Sequence, residues 1–389
     1  MHAGPVASKV LFMMPCLTAP SEVWMQRMLK YLEKDIATIL VRDGQGTRRW
    51  NGRVRVVELA RPSAFSATRF LRRVRALSTH KAREKVLRDE IRNQAITHVL
   101  CHFGDFALEF MDVWCEAQVP LFVHFHGYDA TFDLRLHNQP NRPYFPETYR
   151  KGIKDLAGRA TLIANSEFTK KLLVDEGISG ADIPVKHLGV PIPPKAKAHL
   201  TSRGVRVLHL GRLVDFKSPD RTIKAFEIAK SRGLDGRLTI AGDGPLRVTC
   251  ELLKLRSEWR DSIEILGPVT AQHAGELIAA ADVFTQHNIK GEISRQSECL
   301  GVSVIEAMAA GLAVVGTRSG GVLETVVDGT TGVLVDPGDV EGQASALLHL
   351  SNDPDLRQRL GHAARIHVKQ HFGEDREARA LRLVMGLGV

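Results

Sequence analysis

Short apolar runs alternate with longer amphipathic segments along this chain, and this alternation constrains the fold more than any other feature. Runs of strand length separated by segments of helix length are typical of a parallel α/β sheet. Six such runs precede a proline-rich stretch at 191–194, and six more follow the polar stretch that ends at Arg203. We therefore predict two doubly wound domains, 1–197 and 198–370, and a C-terminal helix within 371–389 that can return to the first domain.

The chain length agrees with two domains, because 389 residues exceed what one hydrophobic core usually supports. Two such sheets that face each other form a cleft, and ligands bind there at the carboxyl ends of the strands. Four polar or glycine-containing motifs follow predicted strands, namely HFHGYD at 124–129, GRLVDFK at 211–217, AGDGP at 241–245 and SECLGVSVIEAMAAG at 297–311. The cleft is therefore the expected functional site.

No apolar run approaches the roughly 18 residues that a transmembrane helix needs, and residues 1–8 are too short and polar to begin a secretory signal. The five cysteines are an odd number and contain no CxxC pair, which argues against a disulfide framework and a zinc site. We expect a cytoplasmic protein with reduced thiols.

The net charge of +9 lies entirely in the first half of the chain, with ten basic residues between 61 and 92. Such clustering indicates an anionic partner surface. Phe70, Leu71, Val74 and Leu77 recur there at helical spacing among arginines, which predicts a basic amphipathic helix on an anionic membrane. The alternative is a surface helix that packs this stripe on its own domain. Nucleic acid is not the expected partner, because no interleaved aromatics or nucleic-acid motif occur.

Glu298 and Glu306 are separated by seven residues, with Gly301 between them and an alanine-rich helix following. Together with GRL…K upstream and SGG…E downstream, this pattern resembles the retaining glycosyltransferases of family 4 over about residues 21–372. The resemblance implies a GT-B fold, which is two doubly wound sheets facing across a cleft. It also implies a nucleotide diphosphate sugar as donor and no metal ion.

In this resemblance, Arg212 and Lys217 match the phosphate-binding pair. An enzyme without a metal must supply fixed positive charge to a departing diphosphate, and a guanidinium fork with a mobile ammonium suits that task. The amides of Gly301 and Val302 begin a helix, whose positive end is a natural seat for phosphates. The alternative is that the two cations are ordinary surface residues near a strand end.

Glu306 corresponds to the family's ribose-binding carboxylate, since a carboxylate can accept two hydrogen bonds from a vicinal diol. Glu298 would face the donor sugar. Cys299 stands where the family usually has glycine, so nucleotide binding is more strongly indicated than sugar selection. The predicted donor-binding set also includes Leu300 and Val269.

His126 matches the histidine that the family places beside the reacting sugar, and Gly127 follows it in the predicted site. His126 would hydrogen-bond the sugar or stabilise positive charge at the anomeric carbon through its carbonyl. The alternative is a structural histidine. His124 alternates with it on the strand and could support it, and Asp129 could orient the loop.

Near the amino terminus, residues 18–22 replace the family's common Gly-Gly turn. They resemble the Ser-Glu-Thr-Phe variant of exopolysaccharide and lipopolysaccharide enzymes of the colanic acid type. Ser21 is therefore a predicted substrate-binding residue and could cap the following helix. The resemblance implies surface polysaccharide assembly.

A metal site is not predicted. The triplet Asp353-Pro354-Asp355 is typical of a helix cap with proline at the first helical position. The histidines show no HExxH or other ligand spacing. We expect neither a metal nor another cofactor.

The sequence thus predicts a retaining hexosyltransferase that uses a UDP- or GDP-sugar and a lipid-linked or polysaccharide acceptor, peripheral on the inner face of the cytoplasmic membrane. Three alternatives stay open at this point: a sugar-nucleotide epimerase of the same fold, a phosphorylase, and a catalytically silent nucleotide-sugar-binding protein. A phosphorylase would need a pyridoxal phosphate lysine and a much longer chain.

Overall fold

The computed structural model describes residues 8–17, 22–42, 49–59, 69–131, 146–194 and 204–388, with the backbone alone for 69–76, 146 and 182. The described part contains two α/β domains. Their predicted boundary at 197/198 lies outside the described residues and stays a prediction.

The N-terminal domain is built on a seven-stranded sheet of order β3-β4-β2-β1-β5-β6-β7. Its elements are β1 (Val10–Met14), α1 (Val23–Tyr31), β2 (Ile36–Val41), β3 (Arg49–Trp50), β4 (Val54–Glu58), α2 (Arg69–Asn93), β5 (His98–His102), α3 (Gly104–Leu108), α4 (Met111–Glu116), β6 (Leu121–Phe125), α5 (Pro146–Ala157), β7 (Thr161–Ala164) and α6 (Glu167–Asp175). The pairing is parallel except that β3 runs antiparallel to β4. β3 was not predicted, because two residues contain no apolar run.

The C-terminal domain is built on a six-stranded parallel sheet of order β10-β9-β8-β11-β12-β13. Its elements are β8 (Val205–Leu210), α7 (Pro219–Ser231), β9 (Gly236–Ala241), α8 (Arg247–Arg256), β10 (Ile263–Gly267), α9 (Ala271–Ala280), β11 (Val283–Thr285), α10 (Val302–Ala310), β12 (Ala313–Thr317), α11 (Val322–Thr325), β13 (Val333–Val335), α12 (Val340–Asn352), α13 (Pro354–His371) and α14 (Glu374–Val384). All twelve predicted strands are present, and the two-sheet GT-B prediction is confirmed.

Buried apolar residues extend continuously from the N-terminal sheet through α14 to α10. α14 packs on α1, and its Glu377 forms a buried ion pair with Lys186 of the N-terminal domain. Arg382 of α14 also pairs with Asp35 at 2.7 Å. These contacts hold the two sheets in a fixed relation, which brings loops from both domains to one cleft.

The triplet at 353–355 is a helix cap, as predicted. The Asp353 carboxylate accepts the Leu356 N–H at 2.8 Å, and Pro354 is the first residue of α13. Within the described ranges, no helix is both long enough and apolar enough to cross a membrane.

Candidate active site

Lys217 of the predicted phosphate-binding pair and Glu298, predicted to face the donor sugar, lie at the carboxyl edge of the C-terminal sheet. Lys217 sits in a short 3-10 turn after β8 and forms an ion pair with Glu298, which lies just before α10. Their side chains are only 10% and 13% exposed. Burial raises the pKa of Glu298, but the Lys217 charge and hydrogen bond outweigh it and leave the pKa below its usual value.

Arg212 follows β8 and faces the same pocket. Its side chain reaches the solvent of the cleft, although protein surrounds it on most sides. This enclosure lowers the pKa of the guanidinium, and the charges of Glu298 and Glu22 oppose the shift. The guanidinium also lies over the Phe216 ring, at 5.5 Å from its centroid. The pocket therefore carries two cations close to one carboxylate.

α10 begins at Val302, as predicted, and Gly301 is its cap in a left-handed conformation with φ of 82°. A side chain would strain this backbone, which explains the glycine. The Gly301 N–H donates to Glu298 Oε1 at 3.1 Å. The amino end of α10 thus lies beside the Lys217–Glu298 pair.

Glu306 lies on α10 but contacts the other domain. Its carboxylate pairs with Arg27 of α1 at 2.5 Å, and Arg27 also donates to the Gly189 carbonyl at 3.4 Å. No sequence motif predicts Arg27, which lies 279 positions away from Glu306.

The remaining predicted donor residues are mostly apolar packing. Cys299 and Leu300 are buried, and Val269 and Val302 are half-buried against the core. A Cβ placed on Gly127 would lie 3.8 Å from the Cys299 sulfur, so the two domains approach closely there. The last predicted site residue, Ser21, lies outside the described residues.

On the N-terminal side of the cleft, His126 follows β6 and lies against the ring of Trp24, 4.0 Å away between centroids. Its Nε2 is 3.0 Å from Nδ1 of His102, at the end of β5. Burial lowers the pKa of His102, His124 and His126 well below the usual value, so all three are neutral near pH 7.

These three histidines form a cluster whose ring nitrogens lie within 4.8 Å of one another, and among the described residues it is the group that could hold a metal ion. The cluster was not predicted from the sequence, because it depends on the pairing of β5 with β6, which sets His102 opposite His124. The prediction of no metal stays a prediction.

The loop after β6 is held by Asp129. Its carboxylate accepts the N–H groups of His126, Gly127 and Gly104 at 3.0 to 3.1 Å. Burial raises the Asp129 pKa to about 7, although these three hydrogen bonds act in the opposite direction. The His126 carbonyl accepts a hydrogen bond from Asn165 at 3.1 Å. Asp129 therefore orients this loop, in agreement with the sequence.

A second carboxylate joins the domains near the site. Glu324 accepts the N–H groups of Glu167 and Phe168, at the start of α6, at 2.8 and 2.7 Å. It also lies 3.1 Å from His187 Nε2. Negative charge at a helix amino terminus is favourable, so this contact stabilises the present arrangement of the two domains.

A network of charged and aromatic side chains lies beside the histidines. Asp105, in the first turn of α3, accepts from Tyr128 Oη at 2.8 Å and from Arg42 at 3.0 Å. Glu22, the residue before α1, lies close enough to Asp105 and Arg212 for both charges to influence its pKa. The cleft therefore has a cationic wall on one domain and, on the other, carboxylates and the partly exposed His126, which the fully buried His102 and His124 support from behind.

Residues 195–367 match the family described as "Glycosyl transferases group 1". The matched segment takes in most of the C-terminal domain. The chain is 31% identical over 294 residues to the D-inositol 3-phosphate glycosyltransferase of Pseudarthrobacter chlorophenolicus, covering 71% of this chain and 66% of that one. It is 34% identical over 161 residues to a GDP-mannose-dependent monoacylated alpha-(1-6)-phosphatidylinositol monomannoside mannosyltransferase of Corynebacterium glutamicum, covering 41% and 42%.

The chain thus spans just under two thirds of the first relative and less than half of the second. Among solved structures, Anabaena HepE in complex with UDP and glucose superposes with a TM-score of 0.74 at 16% identity, covering 97% of this chain and 99% of that one. At that identity the likeness shows the GT-B fold alone.

Proposed function

We propose that the chain transfers a hexosyl residue from a UDP- or GDP-sugar to an acceptor hydroxyl, with retention and without a metal ion. The observation that carries this proposal is the grouping of Arg212, Lys217 and Glu298 at the strand ends, across the cleft from His126. The relatives support it, because their names describe sugar transfer and one names GDP-mannose.

The donor diphosphate would sit on the cationic wall. Its phosphate would replace Glu298 as the partner of Lys217, which frees the Glu298 carboxylate to accept hydrogen bonds from the donor sugar. The amino end of α10 and the Arg212 guanidinium would stabilise the charge that grows on the departing phosphate. Glu306 would release the Arg27 guanidinium and accept hydrogen bonds from the ribose hydroxyls instead.

His126 would face the reacting sugar as a neutral ring. A sugar that loses its phosphate develops positive charge, so a protonated histidine would oppose the reaction whereas a neutral ring can hydrogen-bond the sugar. The His126 carbonyl is already engaged by Asn165. We therefore favour the ring nitrogen over the carbonyl as the contact with the donor.

Retention would follow from attack on the face that the phosphate leaves. Of the carboxylates beside the pocket, Glu298 pairs with Lys217 and in this proposal turns to the donor sugar hydroxyls, whereas Asp129 is held by three backbone amides. A paired-carboxylate double displacement as in retaining glycosidases is therefore disfavoured. In this proposal the departing phosphate accepts the proton of the acceptor hydroxyl.

We further propose that the acceptor is lipid-linked or part of a surface polysaccharide, and that the enzyme docks on an anionic membrane. The backbone of residues 69–93 forms α2, and Leu77 on this helix is 61% exposed. The side chains of residues 69–76 lie outside the description. An exposed leucine at the end of the predicted stripe favours docking over packing within the domain.

Sedimentation with vesicles tests the docking. The protein should sediment with anionic but not neutral vesicles, and salt should release it. Changing Arg69, Arg72, Arg73 and Arg75 to glutamine should abolish sedimentation and leave nucleotide affinity intact. The matched control changes four exposed arginines of the C-terminal domain, Arg237, Arg256, Arg260 and Arg295. Binding that ignores lipid charge and the first set of changes would contradict this surface.

The transfer itself is tested with radiolabelled UDP-glucose and GDP-mannose, with and without a lipid extract as acceptor. A transferase releases nucleoside diphosphate and moves label to the lipid phase. Without the lipid acceptor it hydrolyses the donor slowly, with water taking the sugar. An epimerase would yield a different sugar without lipid labelling, and a silent protein would bind the donor and leave it intact. Either of those results would contradict the proposal.

A further inference from the structure

Glu22 is a carboxylate in the cleft that the donor site does not use. Its Oε2 is buried and has no hydrogen-bond partner in the described structure, and its side chain does not cap α1. Burial raises its pKa to about 7, the neighbouring Asp105 acts in the same direction, and Arg212 and Arg42 oppose them. A buried acceptor atom without a donor is costly, so it is normally satisfied by a ligand or water.

The position of Glu22 relates it to the reaction. It belongs to the N-terminal domain, yet the Arg212 charge from the opposite wall acts on it. A group of the N-terminal wall that feels the Arg212 charge lies beside the proposed phosphate site, where an acceptor must present its hydroxyl.

The groups around Glu22 are suited to hydroxyls. Asp105 presents a carboxylate beside the Tyr128 hydroxyl, and the Tyr128 ring stacks on Phe103 with 5.0 Å between centroids. Carboxylates accept hydrogen bonds from hydroxyl groups, and aromatic rings pack against the apolar faces of sugar or cyclitol rings.

The same groups are unsuited to a phosphate. Arg42 pairs with both Asp105 and Glu109, at 3.0 and 2.9 Å, and Arg83 pairs with Glu109 at 2.9 Å. Glu22 adds a third carboxyl group to this wall, beside the two guanidinium groups of Arg42 and Arg83. The nearby histidines are neutral and supply no positive charge. A bound donor diphosphate would add further negative charge across the cleft.

We propose that Glu22, Asp105 and Tyr128 form an acceptor site that takes a neutral polyhydroxylated ring and rejects a ring bearing a phosphate near the reacting hydroxyl. This inference rests on the proposed transferase function. It separates the chain from its relative whose name specifies inositol 3-phosphate.

The test follows nucleoside diphosphate release from UDP-glucose and GDP-mannose with matched acceptors. The pairs are myo-inositol with myo-inositol 3-phosphate, and methyl glucoside with glucose 6-phosphate. At least one neutral compound should accelerate release beyond hydrolysis, and its phosphorylated partner should have a kcat/KM lower by about tenfold or more.

Variants assign the effect to Glu22. Glu22→Ala should raise the acceptor KM by about tenfold with unchanged donor affinity, because one hydrogen bond to the acceptor is lost. Glu22→Gln removes the carboxyl group but keeps a polar side chain. Its acceptor KM should therefore lie between those of the unchanged protein and Glu22→Ala, and the ratio of kcat/KM between neutral and phosphorylated acceptors should be smaller. Glu33→Gln, an exposed change beyond the other end of α1, is the matched control. Donor affinity also reports whether each variant is folded.

Three results would overturn the inference while donor hydrolysis persists: preference for the phosphorylated compounds, no acceleration by a neutral compound, or Glu22 variants that behave as Glu33→Gln. Absence of donor hydrolysis in the unchanged protein is a different result. It would contradict the proposed function and, with it, the acceptor site.

Discussion

The two walls of the cleft differ in charge. The C-terminal wall presents Arg212 and Lys217 around Glu298, whereas the N-terminal wall presents carboxylates and the neutral His126, with the neutral His102 and His124 fully buried behind it. An anionic donor would meet the first wall, and a neutral acceptor and a sugar of growing positive charge would meet the second. The difference indicates that each wall is matched to the charge of what it binds.

Among changes to the C-terminal wall, loss of the Lys217 charge should reduce catalysis most. We expect Lys217→Ala to lower kcat by about 100-fold, the usual cost of removing one donor to a developing negative charge. The effect falls on kcat because the phosphate charge grows as the sugar departs. Steady-state kinetics and donor calorimetry measure it.

The control for this prediction is Lys224→Ala, an exposed lysine on α7. Because removal of Lys217 leaves the Glu298 carboxylate buried without its cation, the melting temperature of Lys217→Ala must be measured beside its activity. A folded Lys217→Ala variant with unchanged kcat would show that Lys217 does not contact the departing phosphate.

The two glutamates should differ in what they bind. Glu306→Gln should weaken binding of the free nucleoside diphosphate by about ten- to hundredfold, the value of a charged hydrogen bond. Glu298→Gln should spare that binding and impair transfer. Calorimetry with the bare nucleotide decides between them.

Arg27 allows a further test of the Glu306 role, since its guanidinium pairs with the Glu306 carboxylate when no ligand is bound. If Glu306 binds ribose, Arg27→Gln removes a competitor and does not weaken nucleotide binding. Equal losses in both glutamate variants would contradict the division of roles. Weaker binding in Arg27→Gln would show that the ion pair itself supports the site.

The contacts of the C-terminal wall could be predicted from the sequence more completely than those of the N-terminal wall. Arg212, Lys217 and Glu298 belong to one domain and follow its strands, so a parallel sheet brings them together. The contacts of the N-terminal wall depend on other information. The His102–His124 juxtaposition requires the β5–β6 register. The approach of Glu22 to Arg212, and of Arg27 to Glu306, requires the relative position of two domains. No local pattern encodes that position.

Acid should weaken the N-terminal domain through its three clustered histidines. Unfolded histidine has a pKa of about 6.5, and burial holds the pKa of His102, His124 and His126 well below that in the fold. Above pH 6.5 neither state is protonated and nothing is lost. Below it only the unfolded chain binds protons, so each histidine lowers the free energy of unfolding by up to about 1.4 kcal/mol per pH unit.

His124→Phe isolates one of these contributions. Neither His124 nitrogen makes a well-formed hydrogen bond, although the Lys186 backbone faces the ring, so the change preserves the packing. Urea unfolding followed by tryptophan fluorescence at pH 7, 6 and 5 should show a shallower loss of stability, by about 1 kcal/mol per pH unit. His273→Phe, an exposed change on α9, should leave the slope unaltered. Equal slopes in the unchanged protein and His124→Phe would contradict a neutral His124.

Metal removal should have the smallest effect, because the cations of the C-terminal wall would replace a divalent ion at the diphosphate. We expect turnover to survive EDTA within about twofold. The histidine cluster, which among the described residues is the group able to hold a metal, belongs to the opposite wall. An ion there would occupy a His126 nitrogen that the donor sugar needs, so added zinc should inhibit and EDTA should reverse the inhibition. Turnover lost on chelation and restored by magnesium or manganese would instead place an essential ion at the diphosphate, and the contrast between the two walls would no longer account for catalysis.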